Sequence, residues 1–226
     1  MVLWRYLRRR YNLCMAISFF NRVTSREPKS DGVHGHTLLL NYLEDKELTD
    51  WNAIVEIGST RESIEGQGST KKIAEFAKLR GIQFISVDMD LDQTEQAQFL
   101  FKEMQCGFSA VNAKGEVFLE SYSAELTCVY LDAFDYDHGQ HSIKRKDAYM
   151  RILGVEITNE NAAKMHLECA KAIVERAEVK IIGIDDTWRN HGRYFGKGAL
   201  AVPYFLQHSF KIVKKSNLAL VLEKKI

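Results

Sequence analysis

Short apolar runs and amphipathic segments alternate along most of the chain. Five short apolar runs, each closed by a glycine, an asparagine or an acid, are typical of strands buried on both faces. They lie at 53–58, 83–88, 108–112, 127–132 and 179–185. Segments with apolar residues at helical spacing lie at 37–48, 69–80, 93–104, 159–177 and 198–208. This alternation predicts a mostly parallel sheet with helices on both faces.

Two further apolar segments close the chain, at 210–214 and 219–223, with a short connection between them. A short connection predicts antiparallel pairing. The whole pattern therefore predicts an α/β fold with a seven-stranded sheet that ends in an antiparallel hairpin. We expect residues 36–226 to form one domain, preceded by a basic arm and a turn-rich linker at 1–35.

The first 26 residues are basic and contain no acid. Their arginines flank an apolar run at 13–20 and are Arg5, Arg8, Arg9, Arg10, Arg22 and Arg26. An amphipathic helix that packs on the domain or on a partner subunit is the prediction here. A helix on a membrane surface and a secretory signal are the alternatives.

Composition narrows the function classes. The 226 residues include 31 Lys and Arg against 30 Asp and Glu, a formal net charge of +1, so no nucleic-acid partner is expected. The four cysteines are isolated, which argues against a disulfide framework or a cysteine-rich zinc site and favours a reducing, cytoplasmic location. No apolar run approaches the roughly 20 residues that span a bilayer. The sequence leaves the oligomeric state open, with a homo-oligomer as one option.

Candidate chemistry lies where the predicted strands end, which is where parallel sheets bind ligands. The first strand carries Glu56 and Gly58, and its loop continues through Ser59 to Gly68 and Ser69. The loop is acidic, which suits a cationic ligand better than a pyrophosphate. The alternative is a turn that needs glycine for structural reasons alone. Asp88 ends the second strand and could accept both hydroxyls of an adenosine ribose, or cap the next helix.

Three more acids follow the fourth and fifth strands, namely Asp132, Asp185 and Asp186. These strands are neighbours in such a sheet, so the carboxylates would lie together and repel one another unless a cation or protons intervene. Oxygen ligands favour Mg²⁺ or another hard divalent ion. The alternative is that Asp185 and Asp186 cap a loop and that Asp132 is a lone ligand-facing acid.

The loop after the fourth strand, at 135–141, is rich in acids and imidazoles. Asp135 or His138 could remove a proton from a bound hydroxyl, or the loop could be a polar surface without chemistry. Residues 139–158 are predicted to be a lid-like insertion. After the fifth strand, Trp188, Arg193 and Lys197 could line an acceptor pocket or simply belong to a turn.

Together these features resemble class I S-adenosylmethionine-dependent methyltransferases over about residues 50–226. The resemblance rests on Glu56-Ile57-Gly58, Asp88, Asn112-Ala113, Leu131-Asp132 and the terminal hairpin. It implies a Rossmann-like sheet.

Donor contacts are also implied by the resemblance. Glu56, Gly58 and Gly68 would contact the methionyl part, Asp88 the ribose and Asn112 the adenine. We expect Ser59, Ser69 and Asp132 to contact the donor as well.

The acids after strands four and five further resemble metal-dependent sugar O-methyltransferases of the macrocin and novobiocin type. That resemblance implies a metal held by Asp132, Asp185 and Asp186. The expected function is therefore methyl transfer from S-adenosylmethionine to an oxygen of a sugar, a glycan precursor or another small polar acceptor, with Mg²⁺. Asp135 or His138 would take the proton.

Two other readings remain open. A non-catalytic interaction protein could keep the fold and dock through its basic arm to a membrane or a subunit. A nicotinamide-dependent oxidoreductase is disfavoured by the missing GxGxxG, the acidic first turn and the terminal hairpin.

Overall fold

The structure is a computed structural model, and it describes residues 27–47, 51–59, 68–137, 139, 141–176 and 178–225. The basic segment 1–26, most of the first loop at 60–67, and His138 lie outside the described residues. The predictions made for them therefore stay predictions.

A seven-stranded sheet organises the described chain, and two short strands form a second sheet. In chain order the strands are β1 (Ala53–Ile57), β2 (Gln83–Asp88), β3 (Ser109–Asn112), β4 (Cys128–Leu131), β5 (Ile181–Ile184), β6 (Thr187–Asn190), β7 (Arg193–Gly196), β8 (Phe210–Lys215) and β9 (Leu220–Lys224). The large sheet has the order β3-β2-β1-β4-β5-β9-β8. Strands β1 to β5 pair in parallel, and β9 pairs antiparallel with both β5 and β8. The predicted fold class is confirmed.

Helices cover both faces of this sheet. They are α1 (Gly35–Glu44), α2 (Ser69–Arg80), α3 (Leu91–Glu103), α4 (Gly115–Ser121), α5 (Ile143–Leu153), α6 (Asn159–Val174) and α7 (Ala201–Gln207). One apolar core joins α4, α6 and α7 to one face of the sheet, and a second joins α1, α2 and α3 to the other. Successive strand residues such as Ile54 and Val55 point into opposite cores, so the central strands are apolar on both faces.

Local signals fix several helix boundaries. The side chains of Asp90, Ser142 and Thr158 accept backbone N–H bonds at the starts of α3, α5 and α6. Gly81 ends α2 in the left-handed conformation, with φ of 66°. The loops after β2 and β4 lie at the same edge of the sheet because both strands run parallel to β1.

Three elements depart from the predicted pattern. Helix α4 and the β6–β7 hairpin were not predicted, and the insertion at 139–158 contains the ordered helix α5. Only Tyr149 of α5 is buried, in a small third core that includes Phe134. No helix in the described part of the chain is long and apolar enough to cross a membrane.

Candidate functional site

A cleft of about 390 Å³ opens at the carboxyl ends of the parallel strands. The turns after β1, β2, β4 and β5 form its floor, and α5 forms one wall. The lining includes Gly58, Ser59, Asp88, Asp132, Asp135, Arg145, Asp185, Asp186 and Lys197. Most of the predicted site residues therefore meet in one cavity, as expected for a parallel sheet.

Gly58 allows the first turn to pass closely under this cleft. Its φ is 99°, and its N–H donates to the carbonyl of Val87 at 2.8 Å. A Cβ added at Gly58 would lie 2.7 Å from backbone atoms of Ala133. Only glycine satisfies both conditions, because other residues rarely adopt this φ and no space exists for a side chain.

Asp88 is the acid at the end of β2. Its Oδ1 accepts from the N–H of Asp90 at 2.8 Å, and its Oδ2 accepts from the N–H of Ser59 at 2.9 Å. Burial raises the pKa of Asp88 to about 6, although these two N–H groups act in the opposite direction. Each oxygen keeps further acceptor capacity, so the carboxylate can accept a pair of hydroxyl groups.

Glu56 is fully buried and is not among the residues that line the cleft. It accepts hydrogen bonds from Ser69, from Thr70 at 2.7 Å and from Ser86 at 2.8 Å. It thus ties the start of α2 to β1 and β2. Gly68 immediately precedes α2 and, like Ser69, is not part of the cleft lining.

Asn112 is exposed and also lies outside the cleft lining. Its Nδ2 donates to the carbonyl of Asp88 at 3.1 Å and to Thr94 Oγ1 at 3.4 Å. It therefore fixes the turn that carries Asp88. Ala113, which follows Asn112 after β3, and Gly115, the first residue of α4, line the cleft instead.

The acids after β4 and β5 are held by a lysine that the sequence did not connect with them. Lys197 Nζ lies 2.6 Å from Asp132 Oδ1 and 3.0 Å from Asp186 Oδ2. Lys197 is only 4% exposed. Burial alone would lower its pKa, but the carboxylates of Asp132 and Asp186, with that of Asp185, hold it well above the usual range. Lys197 is therefore an ammonium ion at neutral pH.

Both carboxylate oxygens of Asp185 accept hydrogen bonds from uncharged donors. Its Oδ2 accepts from the hydroxyl of Tyr130 at 2.8 Å. Its Oδ1 accepts from the N–H of Gly35 at 3.2 Å and from that of Asp186 at 3.0 Å. Asp185 thus anchors the start of α1 to the ends of β4 and β5.

These residues do not fit a divalent metal. The ammonium of Lys197 already lies between Asp132 and Asp186, and the oxygens of Asp185 are occupied by three donors. Among the described residues, no three His, Cys, Asp or Glu side chains form a group that could hold a metal ion. The predicted Mg²⁺ site is not supported.

The β6–β7 hairpin brings Lys197 back to Asp186. Asp186 has φ of 43°, and its carbonyl accepts from the N–H of Lys197 at 2.9 Å. A Cβ at Gly196 would lie 1.8 Å from the Asp186 carbonyl oxygen, so glycine is required there. The turn of this hairpin consists of His191 and Gly192, both with positive φ.

Asp135, a predicted proton acceptor, is paired with α5. Arg145 donates to its two oxygens, from Nε at 2.6 Å and from Nη2 at 3.3 Å. The Tyr149 hydroxyl oxygen accepts from the N–H of Asp135 at 2.6 Å. His141, from the same predicted loop, lies 3.8 Å from Asp135 Oδ2. These contacts hold the cleft wall against the loop after β4.

The segment before α1 contributes residues that sequence reasoning missed. Val33 and His34 lie in the segment that reads as a linker, and both line the cleft together with His36 from the first turn of α1. Burial lowers the pKa of His36 to about 4, with a further contribution from Lys72, whose Nζ lies 3.3 Å from His36 Nε2. Histidines in a linker show no helical or strand periodicity, so the sequence gives no sign that they line a cleft.

Comparisons with known proteins bear on this geometry. No family model and no curated protein matches the chain. Among solved structures, a proposed rRNA methylase from Clostridium thermocellum aligns with a TM-score of 0.52 and 12% identity over 83% of this chain and 95% of its own. A proposed methyltransferase from Streptococcus mutans in complex with SAH (S-adenosylhomocysteine) gives 0.52 and 13%, over 83% and 96%. The SAH-bound methyltransferase PaMTH1 of Podospora anserina gives 0.51 and 13%, over 84% and 78%.

The chain shares its fold with these solved methyltransferases. At these identities the similarity concerns the fold alone. The substrates of these proteins do not carry over to this chain.

Proposed function

We propose that this protein is an S-adenosylmethionine-dependent methyltransferase whose donor binds in the cleft above β1 and β2. The observation that carries the proposal is Asp88, a buried acid at the end of β2 that faces the same cavity as the glycine turn at Gly58. Its carboxylate would accept hydrogen bonds from the two ribose hydroxyls. Gly58 would let the methionyl part approach the backbone.

The other predicted donor contacts divide into two groups. Ser59 and Asp132 line the cleft and would contact the donor directly. Glu56, Ser69 and Asn112 would act indirectly, because their hydrogen bonds hold the loops that carry the direct contacts. Gly68 would permit the start of α2.

A small hydroxylated acceptor, such as a sugar, suits the β4–β5 side of the cleft. Asp132 and Asp186 line it, and each has one carboxylate oxygen bound to Lys197. Their second oxygens have no partner among the described residues and can accept hydrogen bonds from hydroxyl or amino groups. A phosphorylated acceptor would be repelled by these acids.

The reaction would be a single in-line displacement. The acceptor oxygen attacks the methyl carbon, the carbon–sulfur bond breaks with its electron pair going to sulfur, and S-adenosylhomocysteine leaves. The acceptor proton passes to a base, for which Asp135 and His138 are the predicted candidates. Because Arg145 occupies both oxygens of Asp135, we favour His138 and assign Asp135 to holding Arg145.

Calorimetric titration with S-adenosylmethionine and S-adenosylhomocysteine tests the donor site. We expect micromolar binding to the wild type that is unchanged by Mg²⁺ or EDTA. Asp88→Ala should weaken binding by about 100-fold or more, since it removes two hydrogen bonds to a charged group. Glu95→Ala, which removes an exposed acid from α3, is the matched control and should bind normally.

Absence of binding in the wild type under every metal condition would refute the proposal, and nicotinamide nucleotides would be titrated next. Donor binding without methyl transfer to a panel of free sugars and other unphosphorylated hydroxyl compounds would favour the interaction-protein alternative. Transfer of a labelled methyl group to one of them would identify the acceptor class.

A further inference from the structure

The feature that the proposed function leaves unexplained is the buried ammonium of Lys197. A buried charge is costly unless opposite charges and hydrogen bonds compensate it. Lys197 has such compensation from Asp132 at 2.6 Å and Asp186 at 3.0 Å, and from the more distant carbonyl of Asp132 at 3.4 Å. The ammonium therefore occupies a site built for a cation.

The charge balance of the cluster points the same way. Asp132, Asp185 and Asp186 bring three carboxyl groups to the ends of two adjacent strands. Burial is the largest effect on the pKa of Asp132 and raises it, and the neighbouring acids raise it further. The positive charge of Lys197 lowers it. Without the lysine, the cluster would have to take up protons or another cation to remain folded.

The backbone of the hairpin that positions Lys197 is strained. Asp186, a non-glycine residue, adopts φ of 43°, and Gly196 packs so closely on it that no side chain fits. The N–H of Lys197 then donates to the Asp186 carbonyl, which closes the hairpin. Strain of this kind persists only where the surrounding structure enforces it, and it concentrates at functional sites.

We propose that Lys197 is a positioning residue that serves as the internal cation of the acceptor site and holds the carboxyl groups of Asp132 and Asp186 in alignment where a divalent metal would otherwise be required. The part that concerns the acceptor rests on the proposed function. The part that concerns the cation rests on the lysine and the acids alone. The cluster should accept a divalent ion only when Lys197 is removed.

Lys197→Met tests this directly. The variant keeps most of the side-chain volume but leaves the acids without a cation. We expect Mg²⁺ at about 10 mM to raise its Tm by about 5 °C, given a millimolar or tighter site, and to leave the wild type unchanged. Tb³⁺ luminescence should likewise report a site in Lys197→Met that the wild type lacks. Lys164→Met, which removes a lysine from an exposed ion pair with Glu160, is the matched control and should gain no site.

A second variant keeps the test decisive if the first folds poorly. Lys197→Met combined with Asp132→Asn restores the charge balance, so it should fold better than Lys197→Met and should lose the response to Mg²⁺ and Tb³⁺. The proposal fails if the wild type itself binds these ions in the cleft. It also fails if Lys197→Met folds without gaining a response, or if both variants unfold alike, since the lysine would then matter for packing and not for charge.

The same preparations are titrated with S-adenosylhomocysteine. Donor binding reports on the proposed function, whereas the metal response does not depend on it. A wild type that binds no donor, with Lys197→Met still gaining a metal site, would leave the internal cation standing and remove the methyltransferase. The converse result would remove only the internal cation.

Discussion

A carboxylate that binds a ligand has to stay partly desolvated yet ionised, and Asp88 illustrates the compromise. Burial raises its pKa from 3.8 to about 6, so the folded state binds this proton more tightly than the unfolded chain does. The ionised form therefore costs about 3 kcal/mol of folding stability above pH 6. That cost disappears as the pH falls from 6 towards 4. Hydrogen bonds from a bound ligand would offset it.

The raised pKa of Asp88 predicts how donor affinity depends on pH. Only the ionised carboxylate accepts from both ribose hydroxyls, so affinity should be constant well above pH 6 and fall below it, by up to about tenfold per pH unit. Titration of S-adenosylhomocysteine between pH 5 and pH 8 measures this profile. The profile should be lost in Asp88→Asn. A flat wild-type profile would show that Asp88 does not receive the donor.

At the scale of elements, helix α5 joins the two halves of the cleft. Arg145 is bound to Asp135 after β4, and its charge lowers the pKa of Asp88 after β2 against the larger effect of burial. Its guanidinium also lies 4.9 Å above the ring of Tyr149. A helix with one buried residue depends on such contacts for its position, because it contributes little to the apolar core.

Removal of the Arg145 contact should therefore loosen the wall without unfolding the domain. We expect Arg145→Gln to weaken donor binding by about tenfold, because the cleft wall loses its charged contact with Asp135, and to change Tm little, because α5 contributes little to the apolar core. Arg151→Gln removes an exposed arginine from the same helix and should bind as the wild type does. Equal affinities for the two variants in calorimetry would mean that α5 does not contact the donor.

The elements that the sequence predicts well are those buried on both sides. Strands β1, β2 and β4 appear as apolar runs because both of their faces contact helices. Helix α5 has no such stripe, so its sequence reads as a polar insertion. The β6–β7 hairpin carries a usable signal in His191-Gly192, a two-residue turn with glycine second.

The site was predictable where chemistry follows a strand end and not where it depends on distant pairing. Asp88 and Asp132 are placed by their strands, and both line the cleft. The pairing of Lys197 with Asp132 spans 65 residues, and no local pattern reports it. The Mg²⁺ prediction lacks support for the same reason. The spacing of the acids indicates that they lie close together, but it does not show which cation balances their charge.

At the scale of the whole molecule, the cleft is assembled from segments that are far apart in the chain, from Ser30 to Leu218. A ligand that contacts several of them stabilises the domain as a unit, because it binds the folded state only. Strands β8 and β9, at the far end of the sheet order, contribute no residue to the lining, although Leu218 in the turn between them does. The two strands provide an internal reference within the same molecule.

Donor binding should therefore raise Tm and change hydrogen exchange in a defined pattern. S-adenosylhomocysteine at about 100 times its Kd should stabilise the domain by about 2.7 kcal/mol, or about 5 to 10 °C in Tm. Exchange should slow at the ends of β1 and β2 and in α5, relative to β8 and β9, and Asp88→Ala should lose both effects. Protection confined to β8 and β9, or a Tm shift that persists in Asp88→Ala, would place the donor outside this cleft.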